Sequence, residues 1–182
     1  MVSKNERNSY RRVVTGQENG KSIIQSDERL EAYRFKAVPG FEHTLLWENL
    51  GIPDLSQDQK PGSYPQSLIP GPGGSTLHIV KYPPAGVLED QTLDFAAAVK
   101  EYAERLPGLS DSFEREDPGM HRTNTVDYAV VLEGEIWLEM DDGKTVHLIR
   151  GDTVIQNGTR HAWHNKRQEN ATMLFVILGA KN

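Results

Sequence analysis

Two stretches of this chain combine histidines with a carboxylate, side chains that commonly bind metal ions or move protons. The first stretch, residues 118–135, contains His121 and Asp127, and a second stretch, residues 151–165, contains His161. If the two stretches pack side by side, we expect their histidines and the Asp127 carboxylate to share one pocket, which is the candidate functional site.

The spacing of these residues sets a condition on the site. Six residues of straight strand would separate His121 from Asp127 by roughly 20 Å, whereas ligand bonds to a metal such as zinc are about 2 Å long. The intervening residues 122–125 are polar and weakly strand-forming. Because bulges cluster beside active sites, where they re-aim side chains, we predict a bend or bulge within residues 122–125.

The other histidines are weaker candidates for this site. His164 lies three residues after His161, so an extended strand directs the two side chains to opposite faces. We therefore expect His164 at the surface or next to the ligands. His43 and His78 lie in strand-like runs and are expected to be buried with hydrogen-bond partners. His147 alternates with apolar neighbours and is expected to face solvent.

Further residues of the same region fit a pocket that is apolar with a few polar groups. The candidates for its lining are Tyr128, Trp137, Gln156, Trp163 and Phe175. Arg122 and Arg160 flank the histidine segments, and either could bind a substrate carboxylate through two parallel hydrogen bonds. Each of these residues could equally belong to the core, to an interface or to the solvated surface.

Short strands at regular spacing dominate the C-terminal half. The predicted strands are residues 126–132, 135–140, 145–148, 153–156, 161–165 and 172–178, with turn signals such as Asn157-Gly158 between them. Many short strands at this spacing indicate an antiparallel sandwich or barrel.

One helix is predicted, over residues 93–106, with Thr92 or Asp90 as its N-cap. Its apolar face would consist of four residues at intervals of four, three and four: Phe95, Val99, Tyr102 and Leu106. Pro107-Gly108 is expected to end it.

The N-terminal half predicts fewer elements. Residues 12–16 and 21–25 flank a turn that ends in glycine, which indicates a hairpin. Residues 43–48 and 75–82 are predicted strands. Residues 51–74 are rich in Pro, Gly and Ser and are expected to form a long surface loop, and residues 1–9 are expected to be loosely attached.

Size and composition limit the classes of function. A chain of 182 residues is typical of one domain. Lys and Arg total 20 against 26 Asp and Glu, a net charge of -6, which argues against nucleic-acid binding. The sequence lacks a long apolar run and the pattern of a secretory signal, so a soluble, cytoplasmic protein without membrane contact is expected. It has no cysteine, so a metal would need His, Asp or Glu ligands.

At this point the motifs resemble those of the cupins, a superfamily of jelly-roll barrels. In the first cupin motif, His121 takes the first histidine position, Asp127 the acidic one and Gly134 the closing glycine, while Thr123 stands where the second histidine occurs. The second motif begins at Gly151, carries its histidine at His161 and closes at Asn165, with Asn157 in place of the usual proline. The resemblance covers residues 76–182, is sharpest over 119–165, and is closest to single-domain cupins of small-molecule and aromatic metabolism.

This resemblance implies a fold and an assembly. The expected fold is an all-β, antiparallel jelly-roll barrel with an N-terminal strand extension and one inserted helix. Residues 1–182 would form one domain, with the N-terminal strands, hairpin and loop over 1–75 and the barrel over 76–182. Cupin-like barrels commonly pair through their N-terminal strands, so a homodimer is expected.

Three functions are compatible with the site. The first is a small-molecule enzyme that uses a divalent transition metal (Fe, Mn, Zn or Ni) for decarboxylation, dehydration or another lyase reaction, or for dioxygenation. The resemblance implies that His121, Asp127 and His161 are its metal ligands and catalytic groups, since two imidazoles and one carboxylate leave positions open for a substrate or oxygen. The second is a metal-free enzyme of isomerase type, in which His121 or His161 works with Asp127 as an acid–base pair. The third is a barrel that binds a small ligand without catalysis.

Overall fold

A computed structural model of the chain describes residues 9–56, 65–88, 90 and 92–181. The predicted N-terminal arm falls outside these ranges up to residue 8, as do residues 57–64 of the predicted surface loop. The elements along the described residues are β1 (Ser9–Glu18), β2 (Lys21–Glu31), β3 (Tyr33–Arg34), β4 (Glu42–Asn49), β5 (Ser75–Tyr82), α1 (Phe95–Arg105), β6 (Thr125–Glu133), β7 (Glu135–Glu139), β8 (Thr145–Ile149), β9 (Thr153–Asn157), β10 (Ala162–His164) and β11 (Ala171–Gly179).

The strands form antiparallel sheets in a jelly-roll arrangement, as predicted. One sheet has six strands in the order β3-β4-β5-β11-β6-β9, and another has three in the order β10-β7-β8. The six strands predicted in the C-terminal half are all present, and each end lies within one residue of its predicted position. Strict alternation and glycine-containing turns made these bounds readable from the sequence.

The main core lies between the two sheets. Ala129, Val131, Met173 and Phe175 from the larger sheet pack with residues of the smaller sheet such as Leu138. Alternation along β6 therefore fixes which residues face inward: Thr125, Asp127, Ala129 and Val131 are buried. Any polar side chain in that series lies inside the barrel.

The predicted N-terminal hairpin is present and is longer than expected. β1 and β2 pair over their whole length with one register shift, and Asn19 and Gly20 at the turn have φ angles of 51° and 75°. Two positive φ values at adjacent turn residues match the right-handed twist of the flanking strands.

Helix α1 corrects the predicted apolar face. Phe95 and Val99 are 62% and 51% exposed, whereas Ala98 and the C-cap residue Leu106 are buried. Leu106 and Tyr102 keep their predicted places on the inner face, and Tyr102 packs against Phe35, with the ring centroids 5.1 Å apart.

The difference between the predicted and the observed buried face of α1 is explained by a carboxylate on the helix. Glu101 accepts hydrogen bonds from the Tyr33 hydroxyl at 2.7 Å and from the backbone N–H groups of Lys36 and Ala37 at 3.0 and 2.8 Å. These bonds turn the face that contains residues 98, 101 and 102 toward the sheet. The N-cap is Asp94, whose side chain accepts from the Ala97 N–H, rather than Thr92 or Asp90.

The helix completes a second core beside β4 and β5. This core contains Phe35, Val38, Phe41, Leu68 and Ala98 as buried members. Leu45 of β4 and Val80 and Tyr82 of β5 pack against it. In the described part of the chain, no helix has both the length and the apolar character that a membrane span requires.

Candidate functional site

His121 and His161 are brought together by backbone pairing. Each backbone N–H donates to the other residue's carbonyl oxygen at 3.0 Å, and their ring centroids lie 4.3 Å apart. Both residues are buried. The two predicted histidine segments therefore lie side by side, as the sequence predicted.

The ring nitrogens of the pair are assigned by their partners. His121 Nδ1 donates to the Gly119 carbonyl oxygen at 3.0 Å, and His161 Nδ1 donates to the Thr159 carbonyl oxygen at 2.9 Å. A carbonyl can only accept, so Nδ1 carries the proton in each neutral ring and Nε2 keeps its lone pair. Such a backbone partner on the opposite nitrogen is typical of histidines that bind metals.

Burial keeps both imidazoles in their neutral form. It lowers the pKa of His121, although the Gly119 hydrogen bond opposes that shift. It lowers the pKa of His161 to about 4, with a further contribution from the neighbouring His121. Neutral imidazole is the form that binds a metal ion or accepts a proton.

Asp127 lies on the inner face of β6, in register with Gln156 of β9 and Ile177 of β11. It is 8% exposed, and its Oδ1 atom is buried without a hydrogen-bond partner. Burial raises its pKa to about 6, while a hydrogen bond from the Thr125 side chain opposes the shift. The Thr123 and Thr125 hydroxyl oxygens lie 2.7 Å apart, so a chain of hydroxyls leads from Thr123 to the carboxylate.

The predicted bend between the two ends of this segment is present. Asn124 lies at a bend, and β6 starts at the next residue. Across residues 9–56, 65–88, 90 and 92–181, however, no three His, Asp or Glu side chains converge closely enough to hold a metal ion. The structure thus joins His121 to His161 and places Asp127 on the inner face without closing a three-ligand set.

Two predicted pocket residues support His161 from inside the barrel. Gln156 is buried, and its Nε2 donates to the Thr159 carbonyl oxygen at 3.2 Å and also contacts the Thr159 hydroxyl. The same carbonyl accepts from His161 Nδ1. Trp163 packs edge-on between His161 and Phe175, with centroid distances of 5.9 and 5.7 Å.

A cavity of about 220 Å³ opens beside Trp163. Its walls come from the end of β5, the segment that follows it, and β10: Tyr82, Pro83, Pro84, Ala85, Leu88, Trp163, His164, Asn165 and Lys166. Trp163 is therefore shared between this cavity and the aromatic packing around His161.

Tyr128 and Trp137 are corrected from pocket lining to the outer surface. Tyr128 is 43% exposed because it alternates with the buried Asp127 and Ala129. Trp137 alternates with the buried Ile136 and Leu138 and stacks on the exposed His147, with centroids 4.2 Å apart and rings 9° from parallel. Strand alternation, applied to these two residues, would have placed both outside.

The two arginines have structural partners. Arg160 donates to both carboxylate oxygens of Glu114 at 2.7 Å, to Asp141 at 3.0 Å and to Asp117 at 3.1 Å. Of the roles that the sequence leaves open for Arg160, these contacts favour a structural one. Arg122 is exposed and its Nε donates to the Gly158 carbonyl oxygen at 2.8 Å, so it links the two histidine segments.

The remaining histidines lie outside the pair. His164 faces the opposite side from His161, and its Nε2 lies 2.8 Å from a Glu139 carboxylate oxygen. His147 is exposed and contacts Glu135 at 2.8 Å. His43 and His78 form a buried pair with ring nitrogens 2.9 Å apart, as expected from their strand-like surroundings.

Sequence reasoning missed several residues that shape the site. Phe113 bridges to His121 and packs edge-on against its ring, with centroids 4.9 Å apart. Glu114 follows Phe113 in the sequence and binds Arg160. Gly119 and Thr159 act through their backbone carbonyls, for which side-chain identity gives no signal. The sequence shows that each carbonyl lies two residues before a histidine. Only the backbone geometry shows that it accepts a hydrogen bond from that histidine's Nδ1.

Comparison with known proteins gives a consistent result. The family model that matches is the cupin domain, over residues 114–177. Oryzines biosynthesis cluster protein J of Aspergillus oryzae is 31% identical over 170 residues, which cover 88% of this chain and 87% of that protein. Phomopsin biosynthesis cluster protein D of Diaporthe leptostromiformis is 49% identical over 63 residues, 34% of this chain and 33% of its own. The cupin-domain-containing oxidoreductase virC of Hypocrea virens is 35% identical over 65 residues, 34% of each chain.

The last two matches span about one third of each relative. The first spans most of both chains, and the matched family segment contains His121, Asp127 and His161. Together with the antiparallel jelly-roll, these matches show that the chain belongs to the cupin superfamily.

Proposed function

We propose that this protein is a small-molecule enzyme that holds a divalent transition metal at His121 and His161, and that Asp127, which lies on the same inner side without closing the set, would complete the ligands when the ion binds. The observation that carries the proposal is the buried histidine pair, in which both Nδ1 atoms donate to backbone carbonyls and both Nε2 atoms keep their lone pairs. Two imidazoles and a carboxylate suit Fe, Mn, Zn or Ni.

Asp127 adds to the fit. A buried carboxylate oxygen without a partner is costly unless a cation or a donor satisfies it. The metal, when bound, would supply Lewis-acid polarisation of a substrate oxygen or a coordination position for molecular oxygen. The hydroxyls of Thr123 and Thr125 would orient the carboxylate, and Gln156 would hold the Thr159 carbonyl that orients His161.

The substrate would approach from the cavity beside Trp163. Leu88 and Trp163 provide apolar surface there, and Lys166 provides a cation. Such a cavity suits a small molecule with an apolar body and an anionic group. Trp163 and Phe175 would exclude water from the histidine pair, which strengthens the electrostatic interactions inside the barrel.

Among the reactions compatible with the site, oxidation is favoured over decarboxylation or dehydration. The relative from Hypocrea virens is named an oxidoreductase, and those from Aspergillus oryzae and Diaporthe leptostromiformis are named for biosynthesis clusters. We therefore propose oxidation of a small biosynthetic intermediate.

A second candidate is metal-free acid–base catalysis. The raised pKa of Asp127, about 6, is close to the range in which a general base works best near neutral pH. This reading favours isomerisation, and it needs only the three side chains already on the inner side of the barrel. Ligand binding without catalysis is the third outcome.

A substrate screen separates these candidates. The full chain, reconstituted with Fe(II) or Mn(II), is incubated with a panel of small aromatic and aliphatic carboxylic acids, and the products are analysed by mass spectrometry and oxygen uptake. The proposal predicts a product that has gained oxygen or lost hydrogen. Chelators should abolish the formation of this product. Loss of carbon dioxide or water would indicate a lyase. An isomer formed in the presence of chelators would support the acid–base reading, and binding without turnover would overturn both enzymatic readings.

A further inference from the structure

The ion-pair cluster around Arg160 lies directly beside the histidine pair. Arg160 is adjacent in sequence to His161, and its guanidinium binds three carboxylates from two other segments: Glu114, Asp117 and Asp141. The Glu114 contact is bidentate, with both distances 2.7 Å. Bidentate arginine–carboxylate pairs combine strength with a defined geometry.

Two of these carboxylates belong to the segment that carries His121. Residues 113–121 fold back on themselves, because the Glu114 N–H donates to the Met120 carbonyl oxygen at 2.8 Å and the Met120 N–H donates to the backbone carbonyl oxygen of Asp117 at 3.0 Å. Phe113 pairs with His121 across the same fold. We name residues 113–121 the His121 segment. Arg160 thus holds this segment at Glu114, near its start, and at Asp117, near its turn.

The third carboxylate anchors the cluster to the barrel. Asp141 follows β7, and its Oδ1 accepts from Arg160 Nη1 at 3.0 Å. The backbone of His121 reaches the barrel through its two hydrogen bonds to His161. Arg160 and His161 are consecutive in the sequence. The Arg160 side chain and the His161 backbone therefore both hold the His121 segment, the first at its carboxylates and the second at His121 itself.

We propose that Arg160 is a positioning residue that holds His121 opposite His161. This inference rests on the proposed function only where metal binding is concerned. Arg160 contacts neither ring, and it acts through Glu114 and Asp117 on the segment that presents His121. Without it, the His121 segment would be attached mainly through the backbone pairing of His121 itself and the packing of Phe113.

The first test follows the backbone of metal-free protein. Hydrogen exchange of the His121 amide, which donates to His161, is measured in the wild type, Arg160→Met and the matched control Arg167→Met. Arg167 is also paired with a carboxylate, that of Glu135, but lies outside the cluster. The expected result is faster exchange at His121 in Arg160→Met only. Unchanged exchange in a folded Arg160→Met protein would overturn the inference.

The second test measures affinity for Zn²⁺ alone by calorimetry. Arg160→Met should bind Zn²⁺ about 10-fold to 100-fold more weakly than wild type, the usual effect of removing an outer support of a metal ligand. Arg160→Lys should recover part of the loss, since lysine keeps the charge but not the fork. Arg167→Met should bind as the wild type does.

A double-mutant cycle distinguishes positioning from a general loss of stability. If Glu114 acts on His121 only through Arg160, the double variant Arg160→Met with Glu114→Gln should cost no more Zn²⁺ affinity than Arg160→Met alone. Additive losses would contradict the mechanism. If Arg160→Met does not fold, Glu114→Gln and Asp117→Asn provide the same readouts. A wild type that fails to bind Zn²⁺, while Arg160→Met still accelerates His121 exchange, would overturn the proposed metal function and leave the positioning role supported.

Discussion

His121 and His161 exchange two backbone hydrogen bonds of 3.0 Å, and their imidazole rings lie 4.3 Å apart. The same strand-like pairing that joins two distant segments therefore also sets the spacing of the two rings. Each Nδ1 is fixed by a carbonyl two residues earlier in the chain. The backbone thus determines both the separation of the rings and the nitrogen that each ring leaves available.

Asp127 should make the metal-free protein less stable as the pH rises. Its folded-state pKa of about 6 lies above the usual 3.8, so the folded state binds the proton more tightly than the unfolded state between these values. The stability that protonated Asp127 provides is complete below pH 3.8 and is lost as the pH rises through about 6. Relative to Asp127→Asn, the wild type should lose about 2 kcal/mol between pH 4 and pH 7.

The measurement is urea unfolding of chelator-treated protein at both pH values. Asp152→Asn is a matched control, because Asp152 is also an aspartate next to a strand and its Oδ2 accepts from the Ile149 N–H. Parallel pH profiles for the wild type and Asp127→Asn would show that the Asp127 carboxyl titrates normally.

The buried pair His43 and His78 should make the protein sensitive to acid. Burial lowers the pKa of His43 to about 4 and lowers that of His78 as well, so below about pH 6.5 the unfolded state takes up protons that the folded state excludes. Stability present at pH 7 should therefore fall as the pH decreases toward 4. For His43 alone the loss at pH 5 is about 2 kcal/mol.

Thermal unfolding between pH 7 and pH 5 checks this expectation. Replacing both partners, as His43→Leu with His78→Leu, should reduce the dependence of the midpoint on pH, because neither leucine titrates. The exposed His147 serves as control, and His147→Gln should keep the wild-type profile. A double variant with the full wild-type dependence would assign the acid sensitivity elsewhere.

Gly134 should be less replaceable than Gly151, although both have positive φ angles of 76° and 92°. A Cβ at Gly134 would lie 2.6 Å from the Asn170 carbonyl oxygen and 3.0 Å from Ala171 Cα, whereas one at Gly151 would meet nothing within 4 Å. Alanine at either position costs about 1–2 kcal/mol from its backbone conformation.

Gly134→Ala should cost more than the backbone conformation alone, because the new Cβ also clashes with residues 170 and 171. Urea unfolding should therefore give a lower free energy of unfolding for Gly134→Ala than for Gly151→Ala. Equal losses would show that the turn between β6 and β7 relaxes without penalty.

Alternation along the chain predicted much of the barrel and part of the site. It placed His161 and Trp163 on one face and set His164 on the other, and the structure has this arrangement. Tyr128 and Trp137 obey the same rule: their neighbours in sequence face inward, so alternation places both side chains on the outer surface.

Other features depend on contacts between distant residues, which no local pattern encodes. The face of α1 is set by Glu101, which binds groups more than 60 residues earlier in the chain. Arg160 meets Glu114 across 46 residues, so its role in positioning could not be read from its place beside His161. The helix period alone predicts a different buried face for α1. The position of Arg160 beside His161 alone does not reveal its carboxylate partners, because both features depend on tertiary contacts.

The most direct test of the central claim is the metal content of the protein as purified, with anomalous scattering from crystals to locate the ion. We predict about one divalent ion per chain, bound at His121 and His161, and its loss in both His121→Ala and His161→Ala but not in the control His147→Ala. Metal-free wild-type protein that cannot be loaded, or an ion bound away from this pair, would contradict the account.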